Sequence, residues 1–209
     1  VTDSYLTLAR DGEAEIEVKR SRFLCTLVRV EDEESARAVV DRLRRTHWDA
    51  RHHCSAFVLG PDGAVERSSD DGEPAGTAGA PMLEVLRGRG VSDAVAVVTR
   101  WFGGTLLGAG GLVRAYGDAV RAGLDATGTL RRDLLRELEL EVGHADAGRV
   151  ESDLRARGIA VLDTTYAATV VLRLGVPVAE VERLHALVAE LTGGTATAVE
   201  AGARWVDRG

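Results

Sequence analysis

Lysine is almost missing from this chain: Lys19 stands alone beside 25 arginines. Acidic residues outnumber basic ones, 33 to 26, for a formal charge of −7 over 209 residues. That balance argues against broad, non-specific binding to nucleic acid, which draws on many cationic contacts with phosphates. It leaves room for a local basic groove. Only two cysteines occur, Cys25 and Cys54, too far apart for a CxxC pair and too few for a disulfide framework. No apolar run approaches the roughly 18 residues of a membrane span, and no basic segment leads into an apolar one as in a signal peptide. A cytoplasmic protein without a membrane partner is the expectation. Aromatics are scarce, three each of Trp, Tyr and Phe, so few are spare for surface work. An apolar fraction of 45% with 28% charged residues excludes wholesale disorder.

What is present reads as two α+β halves that divide near residue 127. Residues 5–10 and 13–18 look like strands joined across Asp11-Gly12, a pair suited to a tight hairpin turn. A third strand follows over 22–30. Ala36, Val39, Val40 and Leu43 recur at helical spacing within 31–46, with acids at the start and Arg42, Arg44 and Arg45 at the end. Strands are expected at 54–59 and 64–67, with Pro81 opening a short helix to about Arg87. The apolar run 93–99 predicts a central, buried strand. Leu112, Val113, Tyr116, Ala119, Val120 and Leu124 mark one face of the next helix. From about residue 134 to 209 the order strand-helix-strand-strand-helix-strand is that of a ferredoxin-like domain. Both halves carry a net negative charge.

Two segments stand out chemically. Five glycines fall between positions 103 and 111, between the buried strand and a helix, where backbone N–H groups and the helix start can meet an anion. Arg100 and Arg114 flank this loop and offer charge-assisted hydrogen bonds to phosphate or carboxylate. The glycines equally suit tight turns and close packing of helix on sheet. Gly111 is followed by Leu112, not Lys, so this is no Walker loop, and the G-x-G-x-x-G spacing is not met. ATP hydrolysis and nicotinamide chemistry are therefore disfavoured. The second segment, 68–80, carries Ser69, Asp70, Asp71 and Glu73. Its carboxylates suit turn formation or a partner contact better than a metal, and the pattern is not an EF-hand. His47, His52, His53 and Cys54 do not make up a zinc set. Cys54 reads as a small buried hydrophobe. Trp101 and Phe102 end the central strand, where one is expected buried and one exposed, able to stack on a base or grip a protein.

Ser21-Arg22-Phe23, the run from Ser68 through Gly79 with Pro81, and Val97 through Tyr116 together resemble the IMPACT/YigZ family, and the similarity spans essentially the whole chain. Trp101 stands where the family pattern has Tyr, and His53 where it has Asn before Cys54. The resemblance implies an Impact N-terminal domain over residues 1–126, with the α+β fold of a ribosomal small-subunit protein's second domain and of elongation factor G domain IV. Residues 134–209 then resemble a small ferredoxin-like domain similar to that factor's C-terminal domain. Eukaryotic relatives regulate translation initiation under amino-acid stress through an additional domain that this sequence does not match, so their partner is not carried over.

These observations lead to one preferred expectation: a non-enzymatic binding protein of the translation machinery, contacting RNA, the ribosome or a translation-associated protein. The site would comprise Ser69, Asp70, Asp71 and Glu73 with Arg100, Trp101, Phe102, Gly103, Gly104, Gly108, Gly110, Gly111 and Arg114, without cofactor, metal or catalytic residue. The alternative is an enzyme acting on a small phosphorylated or carboxylated metabolite held at the glycine-rich loop. The sequence does not give the oligomeric state.

Overall fold

The computed structural model describes residues 2–208, which fall into two compact units, one ending at Arg131 and the other covering Arg132–Arg208. The first unit is built on a five-stranded sheet. Its strands are β2 (Gly12–Val18), β3 (Ser21–Arg29), β4 (His52–Leu59), β5 (Val65–Ser69) and β6 (Ala94–Trp101), in the order β2-β3-β6-β4-β5. The apolar run places β6 at the centre, antiparallel to both β3 and β4. Alternate residues of β6 feed two cores. Ala94, Ala96 and Val98 pack with helices α2 (Gly79–Gly88) and α3 (Ala109–Thr127), while Val95 and Val97 meet α1 (Glu33–Thr46) on the other face. A sheet covered on both sides explains why β6 reads as continuously apolar although its neighbours are antiparallel.

Local chemistry sets the ends of the helices. Asp32 caps α1 by accepting a hydrogen bond from Ser35 N at 2.7 Å, with Glu33 and Glu34 in the first turn and Arg44 and Arg45 in the last. Pro81 sits in the first turn of α2, where its missing N–H breaks no helical bond. Val113, expected on the buried face of α3, is instead 39% exposed.

The expected hairpin at Asp11-Gly12 does not form. Strand β1 (Ser4–Leu8) lies outside this sheet, and β2 pairs with β3, with Val18 opposite Ser21. The tight turn falls at Lys19-Arg20, both with positive φ (47° and 64°). Such a turn normally advertises itself with Asn or Gly; here the tertiary pairing imposes it on two long basic residues. Asp11 instead accepts a hydrogen bond from Arg29 N at 2.8 Å.

The second unit contains β7 (Thr129–Val142), whose first residues belong to the unit before, then α4 (His144–Ala156), β8 (Ala160–Tyr166), β9 (Val170–Pro177), α5 (Val181–Thr192) and β10 (Ala198–Arg208). Strand order is β10-β7-β9-β8, the ferredoxin-like arrangement the pattern predicts. Leu138 faces Leu174 and Leu140 faces Leu172 across β7 and β9. These leucines share one core with Val150 and Leu154 of α4 and Leu184 and Val188 of α5. Among the described residues, no helix is long and apolar enough to cross a membrane.

Candidate functional site

Segment 68–80 owes its shape to Asp70. One carboxylate oxygen accepts hydrogen bonds from Ala78 N (3.1 Å) and Gly79 N (2.8 Å), the other from Gly76 N (2.8 Å). The loop aspartate thus supplies the cap that the start of α2 lacks locally. Burial pushes its pKa up, but the three amide hydrogen bonds outweigh that and hold it below its ordinary value of 3.8. Asp71, with φ of +41°, accepts from His53 N and from Arg44, each at 2.7 Å. Its carbonyl accepts from His52 Nδ1 at 2.9 Å. Two of the three acidic side chains therefore build the loop.

Asp70 and His53 give acid sensitivity of one sign. Burial lowers the pKa of His53 below 6.5, so the unfolded chain takes up a proton there first as pH falls. Stability present at neutral pH declines below about 6.5, and again below about 3.8 as Asp70 protonates. We expect Asp70→Ala to cost about 2–3 kcal/mol at pH 7, by loss of charge-assisted bonds to three amides. It should also make the loss of stability at low pH smaller in urea-unfolding free energies measured across pH, Glu15, Asp32 and Glu66, whose pKa values are also lowered, supplying the rest.

Glu73 does something different. Its side chain is 4% exposed and accepts from Arg100 Nη1 at 2.5 Å and from the Tyr116 hydroxyl at 2.7 Å. Cys54 Sγ donates to that hydroxyl at 3.3 Å and lies 3.0 Å from the Asp70 carbonyl. Burial pushes the Cys54 thiol up to about 12 and raises Tyr116 further. Neither is a nucleophile near neutral pH. Arg100 is 5% exposed, between the rings of Phe23 and Phe102, and its Nε has no hydrogen-bond partner among the described residues.

The glycine-rich segment splits by position. Gly103 N donates to Ser21 Oγ at 3.1 Å, and a Cβ at Gly103 would lie 2.1 Å from the backbone carbon and oxygen of Arg20. This glycine exists for close backbone approach, and its amide is not open to a ligand. Gly108 caps α3 with φ of +74°, a conformation that disfavours Ser or Asp, so no side chain caps the helix. The amides of Ala109, Gly110 and Gly111 make no hydrogen bond among the described residues. Trp101 is half-buried, donating from Nε1 to Asp49 at 3.0 Å and stacked under Arg22 at 4.8 Å. Phe102 is 48% exposed and the neighbouring Leu106 84%.

These pieces enclose a cleft of about 420 Å³, lined by Arg51, His52, Glu73, Pro74, Arg100, Phe102, Leu106, Leu107, Gly108, Ala109 and Leu112. The two segments singled out in the sequence thus meet, through Glu73 and Pro74 on one side and residues 100–112 on the other. Of the expected residues, Glu73, Arg100, Phe102 and Gly108 line it; Ser69, Asp70, Asp71, Trp101, Gly103, Gly104, Gly110, Gly111 and Arg114 do not. Arg100 and Arg114, expected to flank one loop, line different recesses: Arg114 lies in a groove between α2 and α3, with Arg89 and Arg121. Two positions on from Leu112, and so about 200° round the helix, Arg114 lies on the face opposite the buried Leu112 and Tyr116. Arg51, His52, Pro74 and the pair Leu106-Leu107 escaped the sequence reading. The two leucines set among five glycines were the visible signal, being apolar where a solvated loop has no need of them.

Comparison with known proteins agrees with this architecture. The Impact N-terminal domain family matches residues 19–124, and a domain of unknown function, DUF1949, matches residues 140–195. The chain is 41% identical over 191 residues to the IMPACT family member YvyE of Bacillus subtilis, covering 91% of this chain and 88% of that protein. It is also 41% identical over 195 residues to YigZ of Escherichia coli, covering 92% and 96%. A yeast protein IMPACT homolog is 35% identical over 115 residues, 51% of this chain and 44% of its own. A crystal structure titled only as that of a hypothetical protein superposes with a TM-score of 0.65 at 39% identity, over 96% of this chain and 98% of that one. With the family domain spanning its first unit and relatives alike along most of its length, this chain belongs to the IMPACT family.

Proposed function

We propose that the protein is a non-enzymatic binding component of the translation machinery that contacts RNA through the cleft at the start of α3. The observation that carries this reading is the combination in one recess of uncapped α3 amides, the buried Arg100 with an unpartnered Nε, and an exposed aromatic, Phe102. Helix-start amides and a guanidinium receive a phosphate oxygen, and an exposed ring stacks on a base. The family resemblance supplies the translation setting. A net charge of −7 confines the attraction to this place and predicts few phosphate contacts.

A binding role also accords with the chemistry of the recess. Cys54 stays protonated and buried behind Tyr116, and Glu73 is committed to Arg100, so neither serves the cleft as a nucleophile or general base.

Co-sedimentation with ribosomes and filter binding to structured RNA across a salt series tests the proposal. The expected result is association with a shallow salt dependence, log K falling with a slope of about −1 to −2 against log salt. Phe102→Ala should weaken it about tenfold. Absence of association at low salt, or association insensitive to Phe102→Ala, would contradict it. The volume of the cleft also suits a small anionic metabolite, the second reading. A melting-temperature increase with a nucleotide or phosphorylated metabolite, without RNA binding, would favour that reading instead.

A further inference from the structure

We infer that the cleft takes one unstacked nucleotide, so that the RNA recognised is single-stranded or bulged at the point of contact and a continuous duplex is excluded. This rests on the RNA reading above and narrows it by the shape and charge of the same recess. The cavity is a recess of about 420 Å³, at the small end for a ligand site. A-form RNA presents a shallow minor groove and a narrow major groove, neither of which fills an inward pocket, whereas an extruded base does.

The walls suit a base. Pro74, Phe102, Leu106, Leu107 and Leu112 line the recess with apolar surface, and Phe102 and Leu106 keep much of theirs exposed to solvent. A planar base entering there would cover both, with the Phe102 ring as its stacking platform.

The charge suits one phosphodiester. Arg100 brings a positive charge to the recess, but Glu73 at 2.5 Å offsets it. Arg51, which has no ion pair among the described residues, and the α3 N-terminus, worth about half a charge, remain. Together they amount to about one and a half positive charges, enough for the single negative charge of an internal phosphodiester and too few for a run of phosphates. Arg100 donates from Nη1 to Glu73 and from Nη2 to Ser21 Oγ at 3.5 Å, while its Nε, buried in the wall of the recess, has no partner among the described residues. A strand laid across the surface would need a track of cations; a single extruded nucleotide needs this one position.

The experiment uses the full chain and four fluorescently labelled RNAs of equal length, read by anisotropy at low salt. They are a single strand, a perfect duplex, the same duplex with one bulged nucleotide, and the bulged duplex with that nucleotide abasic. The expected result is affinity for the single strand and the bulge at least tenfold above the perfect duplex. The abasic bulge should fall to within about threefold of the perfect duplex, because its phosphate stays and its base is gone. Phe102→Ala should bring the single strand and the bulge to within about threefold of the perfect duplex. Equal binding of all four RNAs, or an abasic bulge bound as tightly as the intact one, overturns the inference while leaving RNA binding standing. Failure of all four to bind overturns both.

Discussion

Gly103→Ala is expected to destabilise the first unit by about 3 kcal/mol or more, or to prevent its folding. The new methyl carbon would sit 2.1 Å from the Arg20 backbone, far inside van der Waals contact, and backbone cannot rotate away as a side chain can. Overpacking that side chains absorb costs roughly 1–3 kcal/mol. Here either the Lys19-Arg20 turn, already at positive φ, or the end of β6 must move. Loss of position there also removes the hydrogen bond from Gly103 N to Ser21. Gly104→Ala is the contrast, with no atom within 4 Å of a Cβ and strain only from its φ of +84°. Its cost should be nearer 1 kcal/mol. Urea unfolding of the two variants side by side checks the difference. Equal, small effects would mean that Gly103 is not the contact point between the turn and the loop.

Glu73→Ala should cost about 3–5 kcal/mol, because it leaves the Arg100 guanidinium buried without its counter-charge and the Tyr116 hydroxyl without its acceptor. The pair itself is a weaker stabiliser than that figure suggests, since burying both charges is costly. Pairing Glu73→Ala with Arg100→Met should therefore recover a good part of the loss. A double-mutant cycle by chemical denaturation measures the coupling. Additive losses would show that the two side chains do not act as a unit. The pair fixes Arg100 beneath Phe102, so Glu73 positions the cationic wall of the cleft and need not touch a ligand itself.

Much of the fold was legible from periodicity and punctuation. The apolar run through Val98 announced a central strand, and the second unit declared its ferredoxin-like order through spacing alone. The Lys19-Arg20 turn was not legible, because neither residue favours positive φ and only the pairing of β2 with β3 imposes it. At the site, the meeting of the two glycine-bearing segments followed from their shared family resemblance more than from physics. The division of labour among the acids was hidden: Asp70, Asp71 and Glu73 look alike in sequence, yet one caps a helix, one ties a loop and one neutralises an arginine. Asp70 takes its role from amides 6–9 residues on, at Gly76, Ala78 and Gly79, whereas Asp71 and Glu73 depend on His53, Arg44 and Arg100, 18–27 residues away. Arg114 misled for the opposite reason, since nearness in sequence to the loop did not survive the turn of the helix.

The most direct measurement is site mapping. RNA carrying a photoreactive 4-thiouridine at a single-stranded position is crosslinked to the full chain, and the modified peptide is identified by mass spectrometry. The account predicts adducts on the segment containing Phe102 to Leu107, lost on Phe102→Ala. Adducts confined to the groove around Arg114 or to residues 132–208, with none at the cleft, would contradict it.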